Sequence, residues 1–148
     1  MEMKHSRYYY DFDRNMTKKQ QNGQALRYFK LSEFDSPDLK GSGENMDRGF
    51  LRILDNARHI AGIPFKINSG FRTPQHNIDL KKRGYHVAKN SAHMLGLAAD
   101  ISTPNSKTRY AVLEALRLQN IVRIGIGKNF IHCDIDIKRS QNVMWHYY

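Results

Sequence analysis

The sequence predicts an α+β domain in which a mostly antiparallel sheet is flanked by helices. Residues 46–61 and 105–118 carry apolar side chains at helical spacing, whereas several shorter runs have the length and composition of strands. Two of these runs, 121–126 and 129–135, are joined by a tight turn at Gly127-Lys128, which is typical of a hairpin. Helices that interleave with strands ending as hairpins favour α+β over a parallel arrangement.

In the first half of the chain, residues typical of helix ends mark where the predicted helices begin and end. The apolar spacing of residues 46–61 ends at a glycine, as helices often do. Residues 65–68 alternate between apolar and polar side chains and predict a strand. Thr73 then caps a short helix with Pro74 at its first position, and Gly84 closes that helix.

The second half continues the alternation of helices and strands. A polar loop over residues 84–92 leads to the apolar run 97–101, which predicts a short strand buried on both faces. Asn105 or Ser106 caps a third helix. Three further strands are predicted at 121–126, 129–135 and 143–145.

Length and composition point to one domain with a short arm. A chain of 148 residues, 40% of them hydrophobic, is long enough for a single core. Residues 1–24 are polar and aperiodic, so we expect an N-terminal arm and a single domain over 25–148. No apolar run is long enough to cross a membrane, and no charged-then-apolar signal opens the chain. We therefore expect synthesis in the cytoplasm.

The charge predicts an anionic partner or surface. The net charge is +10, and residues 25–148 alone hold nineteen Lys or Arg against eleven acids. The charge is therefore a property of the domain rather than of a basic tail. A cell-wall polymer fits such a surface, and so does nucleic acid. The tyrosines at 8–10 suit stacking on single-stranded bases, although such clusters more often pack on their own domain.

Two segments carry a histidine together with carboxylates. His93 precedes Asp100 by seven residues, and the run 130–136 holds His132 beside two more acids. Strand alternation puts His132 and both of these acids on one face. Two imidazoles and one carboxylate form the ligand set of a catalytic zinc site, which keeps a fourth position open for water. If these side chains converge, the protein is a metal-dependent hydrolase.

Local geometry is compatible with that convergence. Gly96 permits a tight turn before the strand that carries Asp100, so His93 enters from a loop. A polar, acid-rich strand face is costly to bury unless it is paired or binds a cation. The alternative for an isolated histidine is a surface or hydrogen-bonded residue. The single cysteine, Cys133, cannot form an internal disulfide, and we interpret it as a core residue rather than a catalytic thiol.

Several motifs resemble those of the zinc D-Ala-D-Ala carboxypeptidase family, whose relatives include phage endolysin peptidases and the Hedgehog fold. The first reads Ser91-x-His93-x-x-Gly96-x-Ala98-x-Asp100-Ile101. Segment 67–77, with Ser69-Gly70-Phe71-Arg72-Thr73-Pro74, resembles a second motif, and 125–127, 130–134 and Trp145 resemble the closing segment. Segments 29–36 and 41–46 resemble the small peptidases of tiny single-stranded DNA phages.

The resemblance implies a Hedgehog/D-Ala-D-Ala-peptidase-like fold and a specific site. It implies that His93, Asp100 and His132 bind Zn²⁺, that Arg72 holds a substrate carboxylate or carbonyl oxygen, and that Ser91 lines the site. The expected reaction is hydrolysis of a peptide bond in the cross-link or stem peptides of peptidoglycan. Both D-Ala-D-Ala carboxypeptidase and L-Ala-D-Glu endopeptidase activities occur among relatives. The expected place of action is the cell wall of a bacterial host, and the expected source is a phage.

One position departs from the family. Relatives place an acid three residues before the last histidine ligand, where this chain has Asn129, which cannot act as a base. Asp134 is the best substitute as the general base, or it orients a ligand histidine instead. His146 is a rival third ligand, but relatives with such a histidine carry an acid three residues earlier, where Val143 stands here.

Two other functions are also compatible with the sequence. The first is a zinc-stabilised protein that binds without turnover, as in Hedgehog. The second is a basic virion or single-stranded nucleic-acid-binding protein that has kept a peptidase fold. Zinc content separates the first from a metal-free second, and turnover on peptidoglycan separates both from a peptidase.

Overall fold

The structure is a computed structural model that describes residues 26–148, so the predicted arm over residues 1–24 lies outside the described residues. Within 26–148 the α-helices are α1 (Arg48–Ala61), α2 (Pro74–Lys82) and α3 (Ser106–Leu118). The strands are β1 (Ile67–Ser69), β2 (Ala98–Ser102), β3 (Arg123–Ile126), β4 (Phe130–Asp134) and β5 (Val143–His146). Short 3-10 turns cover Leu31–Phe34, Ser42–Asn45 and Ala92–Leu95. None of the helices in this range is long and apolar enough to cross a membrane.

The five strands form one sheet in the order β1-β2-β4-β3-β5. Neighbouring strands are antiparallel except for β3 and β5, which are parallel. This arrangement confirms the predicted α+β fold with a mostly antiparallel sheet. The register pairs Asp100 of β2 with His132 of β4, and His132 with Gly125 of β3. The predicted site therefore lies on the middle strands of the sheet.

The central strand β4 separates the core from the site. Ile131 and Cys133 are fully buried among apolar side chains, whereas His132 and Asp134 alternate with them and face the other way. On the core side, α1 packs on α3 and α3 packs on β4. Burial also raises the pKa of the Cys133 thiol, which agrees with its interpretation as a core residue. The largest buried side chains are Phe34, Phe50, Phe65, Leu51, Leu54, Ile101 and Leu116.

The observed boundaries differ from the predicted ones by a few residues. Helix α1 begins at Arg48 rather than 46, because the side chain of Asp47 accepts a backbone N–H of the first turn and caps it. Strand β3 begins at Arg123 rather than 121, because the N–H of Ile121 closes α3 on the carbonyl oxygen of Leu116 at 3.1 Å. In both cases a hydrogen bond at the end of a helix excludes two residues from the element to which the periodicity alone assigns them.

Candidate metal centre

Three separate elements bring a histidine, an aspartate and a second histidine together. His93 lies in the 3-10 turn Ala92–Leu95, Asp100 in β2 and His132 in β4. Asp100 and His132 meet because they are cross-strand partners. The turn that carries His93 ends at Gly96, whose φ of +70° is left-handed and where a Cβ would collide with the carbonyl oxygen of Asn45. The predicted role of Gly96 as a tight turn and close approach is thereby confirmed.

One atom of each side chain points to a common position. His93 Nε2 lies 3.3 Å from His132 Nδ1 and 3.3 Å from Asp100 Oδ1, and His132 Nδ1 lies 3.0 Å from Asp100 Oδ1. His93 and His132 are buried, with only 2% and 8% of their surface exposed. The cluster is therefore a compact triangle of two nitrogens and one oxygen.

In each histidine ring, the hydrogen bond of the nitrogen that points away from the triangle fixes the tautomer. His93 Nδ1 lies 2.8 Å from the carbonyl oxygen of Gly70, which can only accept, so Nδ1 carries the proton. His132 Nε2 lies 2.7 Å from Asp134 Oδ2 and donates to that carboxylate. In the neutral rings both remaining nitrogens then direct a lone pair toward Asp100 Oδ1. Each imidazole is thus oriented as a metal-ligating histidine normally is.

The donor set fits a divalent cation. Three lone pairs at 3.0–3.3 Å repel one another unless a proton or a cation lies between them. Ligand atoms of a tetrahedral zinc site lie about 3.3 Å apart, because the Zn–N and Zn–O bonds are about 2.0–2.1 Å long. Among the described residues, the group of side chains that could hold a metal ion consists of His93, Asp100 and His132.

The charges of the cluster are shaped by burial and by the neighbouring groups. Burial lowers the pKa of His93, which keeps that ring neutral and able to bind a cation. Burial alone would raise the pKa of Asp100, but both histidines outweigh it and hold the pKa well below its usual range. Burial opposes charge on His132 as well, yet hydrogen bonds to Asp100 and Asp134 raise its pKa. A cation that binds here competes mainly with a proton on His132.

Two arginines hold the carboxylates in place. Asp100 Oδ2 accepts from Arg72 at 3.1 Å, and Arg72 Nε donates to Ser69 Oγ at 2.9 Å. Asp134 Oδ1 accepts from Arg123 Nε at 2.7 Å. The signal for Arg123 was present in the sequence, since an arginine inside an apolar strand needs a buried acid as its partner. Its pairing with Asp134 was nevertheless missed.

The predicted site residues gather around one cavity of about 870 Å³. Arg72 and Ser91 line it together with the triangle of donor atoms, and Ser91 Oγ also accepts the N–H of His93 at 3.3 Å. Asn129 is exposed and does not line the cavity. His146, the rival ligand, is exposed and packs on Tyr148. The structure thus groups His132, and not His146, with the other two donors.

Comparison with known proteins identifies both a family and a fold. The family Peptidase M15 matches residues 27–134. The crystal structure of the L-Ala D-Glu endopeptidase ChiX from Serratia marcescens superposes with a TM-score of 0.51 and 18% sequence identity. The match covers 64% of this chain and 84% of that chain, and at this identity it shows a common fold. Among curated proteins none matches the sequence.

Proposed function

The chain belongs to the peptidase M15 family, and from that premise we propose that it is a zinc-dependent peptidase that cuts a peptide bond in peptidoglycan. The observation that carries the proposal is the triangle of His93 Nε2, Asp100 Oδ1 and His132 Nδ1 beside a cavity of about 870 Å³. The candidate bonds are the D-Ala-D-Ala bond, cut by a carboxypeptidase, and the L-Ala-D-Glu bond, cut by an endopeptidase.

The proposed metal is Zn²⁺, held by His93, Asp100 and His132. When bound, zinc supplies a Lewis acid and lowers the pKa of a water ligand to about 7. One carboxylate against a divalent ion leaves a net positive centre, which suits a reaction that builds negative charge on a carbonyl oxygen.

Arg72 is the proposed substrate-binding arginine. Two of its five N–H groups are engaged, one by Ser69 Oγ and one by Asp100 Oδ2. These bonds fix the guanidinium plane at the wall of the cavity, so its other N–H groups are oriented before a peptide arrives. A planar fork binds a carboxylate or carbonyl oxygen in a way that a lysine cannot reproduce. Ser91 lines the same cavity and is the second proposed substrate contact.

We assign Asp134 a positioning role rather than that of general base. Its Oδ2 accepts from His132, and its Oδ1 accepts from Arg123 and from the N–H of Asp136 at 3.1 Å. It is 2% exposed and lies on the side of the His132 ring away from Asp100. A carboxylate with both oxygens occupied is poorly placed to accept a proton from water, but it suits a residue that orients a ligand histidine.

The proposed activity is tested by digestion of purified peptidoglycan. We expect about one zinc per chain by metal analysis, and new muropeptides by mass spectrometry whose masses identify the bond that is cut. Chelation should stop the reaction, and added zinc should restore it. The position of Asn129 outside the cavity favours a second candidate, a zinc-stabilised binding protein. Bound zinc together with intact peptidoglycan after prolonged incubation would support that candidate and refute the peptidase.

The basic surface predicts that binding to the bacterial cell wall depends on the salt concentration. A net charge of +10 should attract the protein to an anionic polymer, and salt screens such exposed charges beyond roughly 10 Å at 0.1 M. Binding to intact sacculi should therefore weaken steeply between low and physiological salt. Cleavage of a small neutral peptide fragment should change much less. A sedimentation assay and a peptide assay over the same salt series compare the two, and equal slopes would argue against a docking role for the charge.

A further inference from the structure

In the described part of the chain two carboxylates line the cavity, and each of their oxygens already has a partner. Asp100 directs Oδ1 into the triangle and Oδ2 to Arg72. Asp134 is engaged on both oxygens by His132 and Arg123. The carbonyl oxygen of a bound peptide can only accept a hydrogen bond, so the lining groups that can bind it are donors such as Arg72 and Tyr147.

Tyr147 reaches this cavity from the end of β5. Its N–H donates to the carbonyl oxygen of Ile126 at 3.0 Å, next to the last pair of β3 and β5, Ile126 with His146. The phenol ring packs on Phe130 and Trp145, with centroid distances of 5.3 and 6.2 Å. Trp145 in turn packs on His132, 5.6 Å between ring centroids. Tyr147 thus belongs to an aromatic wall that adjoins the metal-ligating cluster.

A glycine opposite His132 makes room for that wall. Gly125 pairs with His132 on one side and with Trp145 on the other. A Cβ on Gly125 would lie 2.7 Å from Trp145 Nε1 and 2.7 Å from Tyr147 Cε2, closer than such atoms approach. Because this position lacks a side chain, both rings lie over the sheet face that carries the cluster.

The phenol lies among the charges of the site. Burial raises the pKa of Tyr147 to about 12, and the charges of Asp100, Arg72 and Asp134 act on it as well. At neutral pH the hydroxyl therefore keeps its proton and is a hydrogen-bond donor. Tyr147 also lies beyond residues 27–134, the range that the family match covers.

We propose that Tyr147 Oη donates a hydrogen bond to the carbonyl oxygen of the peptide bond that is cut. This role rests on the proposed peptidase function. No proton leaves the phenol, and the hydrogen bond strengthens as negative charge develops on the carbonyl oxygen. Removal of one such donor lowers turnover by about 10²–10³-fold.

The experiment compares Tyr147→Phe with the matched control Tyr148→Phe. Phenylalanine keeps the ring packing of Tyr147 and removes only the hydroxyl, so fold and zinc content should match the wild type. The neighbouring Tyr148 is 65% exposed and packs on His146, outside the cavity. On a muropeptide that the wild type cuts, Tyr147→Phe should lower kcat about 10²-fold with little change in KM. Tyr148→Phe should leave both constants unchanged.

A binding measurement supports the kinetic one. A phosphinate analogue of the scissile bond carries the charged oxygens of the transition state, so Tyr147→Phe should weaken its binding by roughly 10²-fold in calorimetry. Binding of the cleavage products should change little. An active wild type with unchanged kcat and phosphinate affinity in Tyr147→Phe would overturn the role of Tyr147 alone, as would a rise in KM without a fall in kcat. A wild type that cuts no muropeptide refutes the peptidase function and this role with it.

Discussion

His93→Ala is expected to weaken zinc binding severely and to abolish peptidase activity with it. Zinc sites in proteins bind with a free energy of roughly 10–16 kcal/mol, to which all three ligands contribute. Removal of one ligand costs several kcal/mol of this free energy, so the affinity for zinc should fall by at least about 10³-fold. The two remaining ligand atoms, Asp100 Oδ1 and His132 Nδ1, lie 3.0 Å apart. Without a metal they form a hydrogen bond through a proton on His132. Metal analysis after dialysis against zinc buffers measures the loss.

Thermal unfolding gives an independent readout of the same change. Zinc at about 100 times its Kd should stabilise the wild type by about 2.7 kcal/mol, and His93→Ala should show no such gain. The matched control is His146→Ala, which removes an exposed histidine that packs on Tyr148. This control should keep the zinc-dependent rise in Tm. Full zinc occupancy in His93→Ala, or its loss in His146→Ala, would contradict the proposed ligand set.

Asp134→Asn is expected to weaken zinc binding by roughly 10–100-fold while leaving turnover at saturating zinc close to that of the wild type. The amide has one accepting oxygen, whereas Asp134 accepts from both Arg123 and His132. If the amide oxygen faces Arg123, its NH₂ group faces His132 Nε2 and favours the tautomer with the proton on Nδ1. That tautomer directs a proton, rather than a lone pair, at the position of the metal.

The same variant separates positioning from general-base catalysis. A general base would instead leave zinc affinity intact and lower the rate by about 10²–10⁴-fold at saturating zinc. Asp136→Asn is the matched control, because this neighbouring buried acid bonds Arg139 at 3.1 Å rather than His132. For both variants, a zinc titration measures the affinity for zinc, and kcat is then measured at saturating zinc. Normal affinity and a normal rate in Asp134→Asn would exclude both roles for this carboxylate.

Much of the fold follows from local patterns in the sequence. Thr73 accepts the N–H of His76 and starts α2 at Pro74, as the cap signal predicted. Alternation along β4 placed Cys133 in the core and His132 on the opposite face. Such features are predictable because caps and strand faces depend on residues only a few positions apart.

The grouping of His93, Asp100 and His132 was also within reach of the sequence. Each lies in a short segment whose strand or turn character is local, and the resemblance of these segments to a zinc peptidase family linked them. The register that makes Asp100 and His132 cross-strand partners is itself a property of the sheet. Sequence patterns predicted the members of the triangle, and the register brought two of them side by side.

The sequence by itself determined the fold class and the donor types of the candidate site, because helical spacing, strand alternation and ligand chemistry are carried by short segments. Only the tertiary structure decided which partners those donors have. It paired Asp134 with Arg123 and His132, left Asn129 outside the cavity, and brought Tyr147 over Gly125. Those contacts depend on strand order and on free space between side chains far apart in the chain. No local pattern encodes either of these.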